Sequence, residues 1–257
     1  MELYIFDGSL EGLLTAVFEC YQRKSRVVKL VSEIHHVPDV FDAGFRVDSD
    51  REKGKRVWKG LCRKLGKEWQ LRFYKSFLSE QPEAFQHLLN FARYIIDQPT
   101  GAWENFAHPD VLAISQTSQK VHREKHRMEA FIRFQKTADD IYYAHIEPDF
   151  DVLPLLPDHF QNRYADQRWI IYDLKRKYGL YYDLEKTEEI ELDSAPQMSI
   201  VNALPSDLLD SQEALYTLLW QDYFKSTNIQ ARKNMRLHVR HVPRRYWKYL
   251  SEKQDQF

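Results

Sequence analysis

Apolar residues recur along this chain with two different periods, and the switch between them sketches its organisation. Leu3 to Phe6 is a short apolar run closed by Asp7-Gly8, the pattern of a strand meeting a turn. Leu10, Leu13, Leu14, Val17, Phe18 and Tyr21 then fall at helical spacing, and the β-branched run Val27 to Val31 predicts a second strand. A β-α-β start of this kind predicts two parallel strands with the helix on one face. From Asp48 to Pro99 the period is helical throughout, in three stripes. Val57, Trp58, Leu61 and Leu65 form the first, Trp69, Phe73, Phe77 and Leu78 the second, and Phe85, Leu88, Leu89, Ala92, Ile95 and Ile96 the third. Pro82 suits a first helical turn and Pro99 a helix end. Val111 to Phe134 predicts a fourth, long helix.

Beyond it the pattern turns to strands rich in Tyr, Ile and Trp: Ile141 to Ile146, Arg168 to Leu174 and Leu180 to Leu184. Lys175 to Gly179 predicts a hairpin loop between the last two, with Gly179 at the positive-φ position. Leu155 to Tyr164 predicts a short helix and Leu208 to Phe224 a longer one. Asp193 to Pro205, holding Ser, Pro and Asn, reads as a linker. The expected class is therefore α+β, predominantly helical with a small mixed sheet made of the N-terminal β-α-β and the later hairpin. The expected domains are a main α+β domain over 1–192 and a helical C-terminal extension over 193–257.

Composition changes this picture little. A chain of 257 residues with 43% hydrophobic and 14% aromatic residues can bury a core. No apolar run nears the roughly 20 residues of a membrane span, and Met1 to Gly8 lacks the basic and small-residue parts of a signal peptide. Cys20 and Cys62 are too few for a disulfide framework or a four-cysteine metal site, and sit in apolar helical patterns. The expected location is cytoplasmic.

Charge changes the picture more. The net charge is −1, but it is unevenly spread. Phe224 to Leu250 holds Lys225, Arg232, Lys233, Arg236, Arg240, Arg244, Arg245 and Lys248 and no acid. Segregation of this kind suits a polyanion or an acidic partner surface. Arg236, Arg240, Arg244 and Arg245 are the groups expected to hold phosphate, with Tyr246 and Trp247 flat enough to stack on bases. The same aromatics, with Leu250, are also spaced to pack inward from an amphipathic helix, and the two readings stay open.

Two other clusters carry candidate chemistry. His122 and His126 stand one helical turn apart, but Arg123 occupies the place of the zinc-protease glutamate, and Lys120, Arg123, Lys125 and Arg127 would repel a divalent cation. A solvated basic face, or one that meets phosphate, is the better reading. Glu147, Asp149 and Asp151 gather beside a strand end, where carboxylates can hold Mg²⁺ or share acid and base roles, but acids there are more often ordinary turn and cap formers. His145 and His159 have no ligand spacing and read as surface or core-edge groups. No dinucleotide fingerprint, nucleophile elbow or phosphate loop occurs.

Four stretches together resemble a bacterial family labelled "probable DNA metabolism protein", a domain of unknown function. They are Tyr4-Ile-Phe-Asp-Gly-Ser-Leu-Glu-Gly-Leu-Leu; Val121 to Phe134 with its His-Arg-Met and Phe-x-Arg-Phe; Glu147-Pro-Asp-Phe-Asp-Val-Leu-Pro-Leu-Leu-Pro-Asp-His-Phe160, continuing to Trp169-Ile-Ile-Tyr-Asp173; and Val242-Pro-Arg-Arg-Tyr-Trp247. The resemblance implies a gene context beside a radical-SAM protein of DNA-repair type, and, in some members, fusion to a uracil-DNA-glycosylase-like domain. It implies no catalytic residues. Joined to the charge pattern, it points to a DNA-binding accessory protein, with Arg127, Arg133 and Arg168 joining the C-terminal arginines on phosphate. No cofactor is expected in this chain, and iron–sulfur and SAM chemistry would belong to the partner. The alternatives are an enzyme acting on DNA through Glu147, Asp149, Asp151 and His126, with Mg²⁺ if those groups converge, and an adaptor that binds protein without catalysis.

Overall fold

The structure, a computed structural model, describes residues 1–38, 44–191, 208–227 and 235–256. The expected opening is met. β1 (Glu2–Phe6), α1 (Leu10–Gln22) and β2 (Val28–Ser32) follow one another, and the two strands pair in parallel from Glu2 with Val28 to Phe6 with Ser32. The Ser9 hydroxyl accepts the Gly12 N–H and caps α1. β3 (Phe45–Val47) adds to the other edge of β1, also in parallel, giving the order β2-β1-β3. Three residues are too few to show a period, so nothing in the pattern announces this strand.

The three helical stripes become α2 (Arg51–Lys64), α3 (Lys67–Phe77) and α4 (Pro82–Asp97). Asp50 caps α2 by accepting the N–H groups of Glu52 and Lys53, and Pro82 opens α4. Their apolar faces meet β1 and α1 in one cluster that includes Phe6, Leu13, Leu61, Phe73, Leu88 and Phe91, all fully buried. Cys20 and Cys62 are free thiols on α1 and α2; Cys20 is buried and Cys62 half-buried.

The chain divides into two compact units, Met1–Arg123 and Glu124–Phe257, and the division falls within α5 (Pro109–Phe131). The boundary expected between 192 and 193, like the expected linker, lies outside the described residues. The second unit carries a second sheet, of order β4-β5-β6-β7-β8, so the strands do not share one sheet. Its members are β4 (Gln135–Lys136), β5 (Tyr142–Ile146), β6 (Trp169–Asp173), β7 (Tyr178–Tyr182) and β8 (Thr187–Ile190). β5 and β6 are parallel, with α6 (Pro157–Arg163) in the connection between them; the other pairs are antiparallel. Aromatic rings fill this unit: Phe134 meets Phe160, Tyr164 and Trp169, and Trp169 stacks on Tyr182 at 5.4 Å.

The hairpin between β6 and β7 corrects one expectation. Lys177, not Gly179, takes positive φ (61°), and Gly179 is a strand residue paired with Tyr172. Its role is close approach: a Cβ there would lie 2.8 Å from Tyr172 Cδ2 and 2.9 Å from the Ile171 carbonyl.

After α7 (Glu213–Thr227) and α8 (Met235–His241), Pro243 stops the helix, and the chain continues as 3-10 turns over Arg244–Tyr249 and Ser251–Gln256. Among the described residues, no helix is long and apolar enough to cross a membrane.

Candidate functional site

Two neighbourhoods of the second unit bring together groups with chemical potential. The first is centred on Glu124, a carboxylate only 1% exposed. Its Oε1 accepts from the Tyr246 hydroxyl at 2.5 Å and the Asp149 N–H at 3.1 Å. Its Oε2 accepts from Arg245 at 3.0 Å and Arg127 at 3.5 Å. Arg245 also bonds the Tyr246 hydroxyl and pairs with the Asp149 carboxylate. A buried carboxylate is tolerated only when its lone pairs are filled in this way. Burial, and then the hydrogen bond to Glu124, push the Tyr246 hydroxyl well above the usual phenol range, so it stays a donor.

The acidic loop after β5 is bound into the same network. Glu147 accepts from Lys248 and from the Tyr249 hydroxyl at 3.0 Å, and the Lys248 bond holds its carboxyl below the ordinary range. Asp151 accepts from the Tyr178 hydroxyl at 2.5 Å. Arg176, held by the buried Asp173 at 2.7 Å, donates to the carbonyls of Pro148 and Asp149. The three acids of the loop thus face separate partners: Lys248 and Tyr249 for Glu147, Arg245 for Asp149, and Tyr178 for Asp151. Among the described residues, no group of three His, Cys, Asp or Glu side chains is placed to hold a metal ion. His126 is 81% exposed and 3.4 Å from Glu129, so it does not converge with the loop acids. His122 Nδ1, in the first unit, lies 3.4 Å from Lys75 Nζ.

His145 stands beside this network, edge-on to Tyr249 at 5.5 Å. Its Nε2 is buried with no hydrogen-bond partner among the described residues. Burial, aided by Lys248 and opposed by Glu147, pulls its pKa down to about 4, so the ring is neutral at pH 7.

The second neighbourhood is a cleft of about 650 Å³ between β4, the α6 end and α7. Arg133, Lys136 and Arg163 line it with positive charge, and Tyr142, Tyr164, Tyr216 and Trp220 with ring faces. Arg133 is fixed by Glu252 at 2.9 Å and lies over the Trp220 ring, whose Nε1 donates to the other oxygen of Glu252. Lys136 pairs with Asp140 and Asp210. Arg163 touches Tyr164 and has no carboxylate within ion-pair distance among the described residues. Glu213 is the acid of the lining; its Oε2 accepts the Lys136 N–H, and burial raises its pKa. Tyr216 and Trp220 remain 52% and 40% exposed although they lie in a cleft. Cations beside open ring faces are the chemistry that holds phosphates and stacks bases or other flat ligands.

The expected phosphate-binding residues are therefore sorted. Arg236, Arg240 and Arg244 are exposed, with Arg244 over the Trp247 ring at 5.8 Å, and Arg168 is exposed and donates to the Asp139 carbonyl. Arg127 and Arg245 serve Glu124, and Arg133 serves Glu252. Of the two readings left open for Tyr246 and Trp247, the structure takes the inward one: they are 2% and 4% exposed, and Trp247 Nε1 donates to the Val242 carbonyl. Tyr164, Arg163, Glu213, Tyr216 and Trp220 were missed because their elements are distant in sequence and no spacing links them. Glu124 was missed because it sits in a run of charged residues that reads as a solvated face.

No curated protein and no solved structure matches the chain. One family does, over residues 82–252, and its description reads Domain of unknown function (DUF4130). That match spans most of the chain, including the whole Glu124 network and the cleft, and places this protein in the DUF4130 family.

Proposed function

We propose that the chain is a DNA-binding accessory protein of DNA metabolism or repair that works beside a radical-SAM partner. The observation that carries this reading is the cleft, where Arg163, with no carboxylate within ion-pair distance among the described residues, lines the same space as the rings of Tyr142, Tyr164, Tyr216 and Trp220. Cations supply the salt-dependent affinity for phosphate, and open rings supply stacking energy that is indifferent to sequence. Exposed Arg168, Arg236, Arg240 and Arg244 offer further phosphate contacts. The partner enters through the resemblance to the DNA-metabolism family, which also leaves iron–sulfur and SAM chemistry to that partner.

Fluorescence anisotropy with labelled single-stranded and duplex DNA over a salt series tests the reading. Affinity is expected to fall linearly on a log–log plot, with the slope reduced by about one for each phosphate-contacting arginine replaced by alanine. Absence of binding at low salt overturns it. The adaptor reading has one observation in its favour: Leu215, Leu218, Leu219 and Tyr223 of α7 are each more than half exposed. Capture of the radical-SAM protein after nuclease treatment, with no DNA affinity, would favour the adaptor. The enzyme reading is the least supported, because Glu147, Asp149 and Asp151 are each engaged by a different side chain.

A further inference from the structure

A cleft lined by ring faces can use them only on a base whose own face is exposed. In a paired duplex both faces of every internal base are covered by neighbours, so only phosphates and groove edges are offered. The volume of about 650 Å³ falls in the range that encloses a small ligand, and is far too small for a double helix. Tyr216 and Trp220 keep large exposed areas at its wall, and Arg163 stands on the α6 side with no acid to neutralise it among the described residues. Trp220 is held in place by Glu252 and Arg133, so its ring is presented without the entropy cost of ordering a free side chain.

From these observations we infer that the cleft is a subsite for a single unpaired nucleotide, its base stacked on the Trp220–Tyr216 wall and its phosphate on Arg163. The inference rests on the DNA-binding reading and narrows it from a polyanion to a nucleotide released from its stack. A bulged, mismatched, gapped or single-stranded site supplies such a nucleotide at little cost, whereas a perfect duplex must first be unstacked.

The test uses the intact chain and three fluorescent DNAs of one sequence: a perfect duplex, the same duplex with a one-nucleotide bulge, and the single strand. The bulged duplex and the single strand are expected to bind at least tenfold more tightly than the perfect duplex. Trp220→Ala and Arg163→Ala are expected to abolish that preference while leaving the weaker duplex binding. Trp220 also supports Glu252, so Trp220→Phe, which keeps a ring, serves as the folding control and should retain most of the preference. Among the described residues Arg163 has only the Tyr164 contact to lose, and its variant carries the test if Trp220→Ala fails to fold. Equal affinity for bulged and perfect duplexes overturns the subsite and leaves the DNA reading standing. Failure to bind any of the three overturns both.

Discussion

Glu124 shows how one side chain can matter more than the residues that draw attention in the sequence. Its carboxylate receives a phenol, two guanidiniums and a backbone N–H. Replacing it with Ala strands the buried Tyr246 hydroxyl and takes the acceptor from the Asp149 N–H, which costs roughly 1–3 kcal/mol for the unsatisfied buried group. Glu124→Gln keeps an acceptor for those two but turns an amide N–H₂ towards Arg245, so it should recover only part of the loss. Urea unfolding of the three proteins checks the order. His145 makes the second residue-scale prediction. Its folded pKa of about 4 lies below its ordinary 6.5, so on acidification the unfolded chain takes up the proton first. The stabilising effect of keeping the ring neutral is complete above pH 6.5 and drains away as the pH falls towards 4. His238, also lowered by burial, acts in the same direction. Glu147 and Glu252 have lowered pKa values, and their contributions are lost only below about pH 4.5, a separate and more acid window. His145→Phe should therefore flatten the decline of the melting temperature between pH 6.5 and 5 and leave the more acid decline intact.

Elements were legible where their periods were long enough to count. α1 to α4 each carry three or four turns of apolar residues, and the observed helices fall on the expected stripes. β3 and β4 are too short to show alternation, and β8 (Thr-Glu-Glu-Ile) has no apolar face to mark it, being an edge strand with half-buried ends and exposed glutamates. Chain direction at the β6–β7 turn was legible, but its positive-φ residue was not. A glycine nearby draws the expectation, whereas Lys177 accepts the strain and Gly179 is needed for the close approach of Tyr172. Gly179→Ala should accordingly destabilise the protein by roughly 1–3 kcal/mol through overpacking, while Lys177→Gly should be neutral or mildly stabilising because it relieves the left-handed backbone. Thermal melts of the two variants decide between these roles. The final segment was legible only in part. Its aromatics were seen to have inward spacing, but the stop at Pro243 and the 3-10 turns beyond it decide which cations remain outside. Both Arg244 and Arg245 stay exposed, but Arg245 is tied to Glu124 and Asp149.

At the scale of the whole molecule, the class was legible and the sites were not, for a physical reason. An α+β arrangement follows from local periods, which a single sequence displays. The cleft is assembled from β4, the α6 end and α7, and the Glu124 network from α5, the loop after β5 and the last 3-10 turns. Neither juxtaposition leaves a trace in spacing. Charge segregation was a sound observation with two possible meanings, since the acidic surface that meets Arg245 and Lys248 belongs to this same chain. Part of the basic segment is thus an internal fastening, and its remaining arginines are the ones left for a partner.

That fastening sets an order of events during protein synthesis. Arg245 and Tyr246 reach back 121 and 122 residues to Glu124, and Trp247 and Leu250 fill the interior of the same unit. The first unit draws its buried residues from Met1–Arg123 and can close while translation continues. The second must wait, with Glu124 lacking its Arg245 and Tyr246 bonds and Glu147 its Lys248 and Tyr249 bonds, until the stretch through Leu250 has emerged from the ribosome. A premature stop before Pro243 would release a chain whose second unit lacks Arg245 and Tyr246, the partners of Glu124, and the buried Trp247 and Leu250.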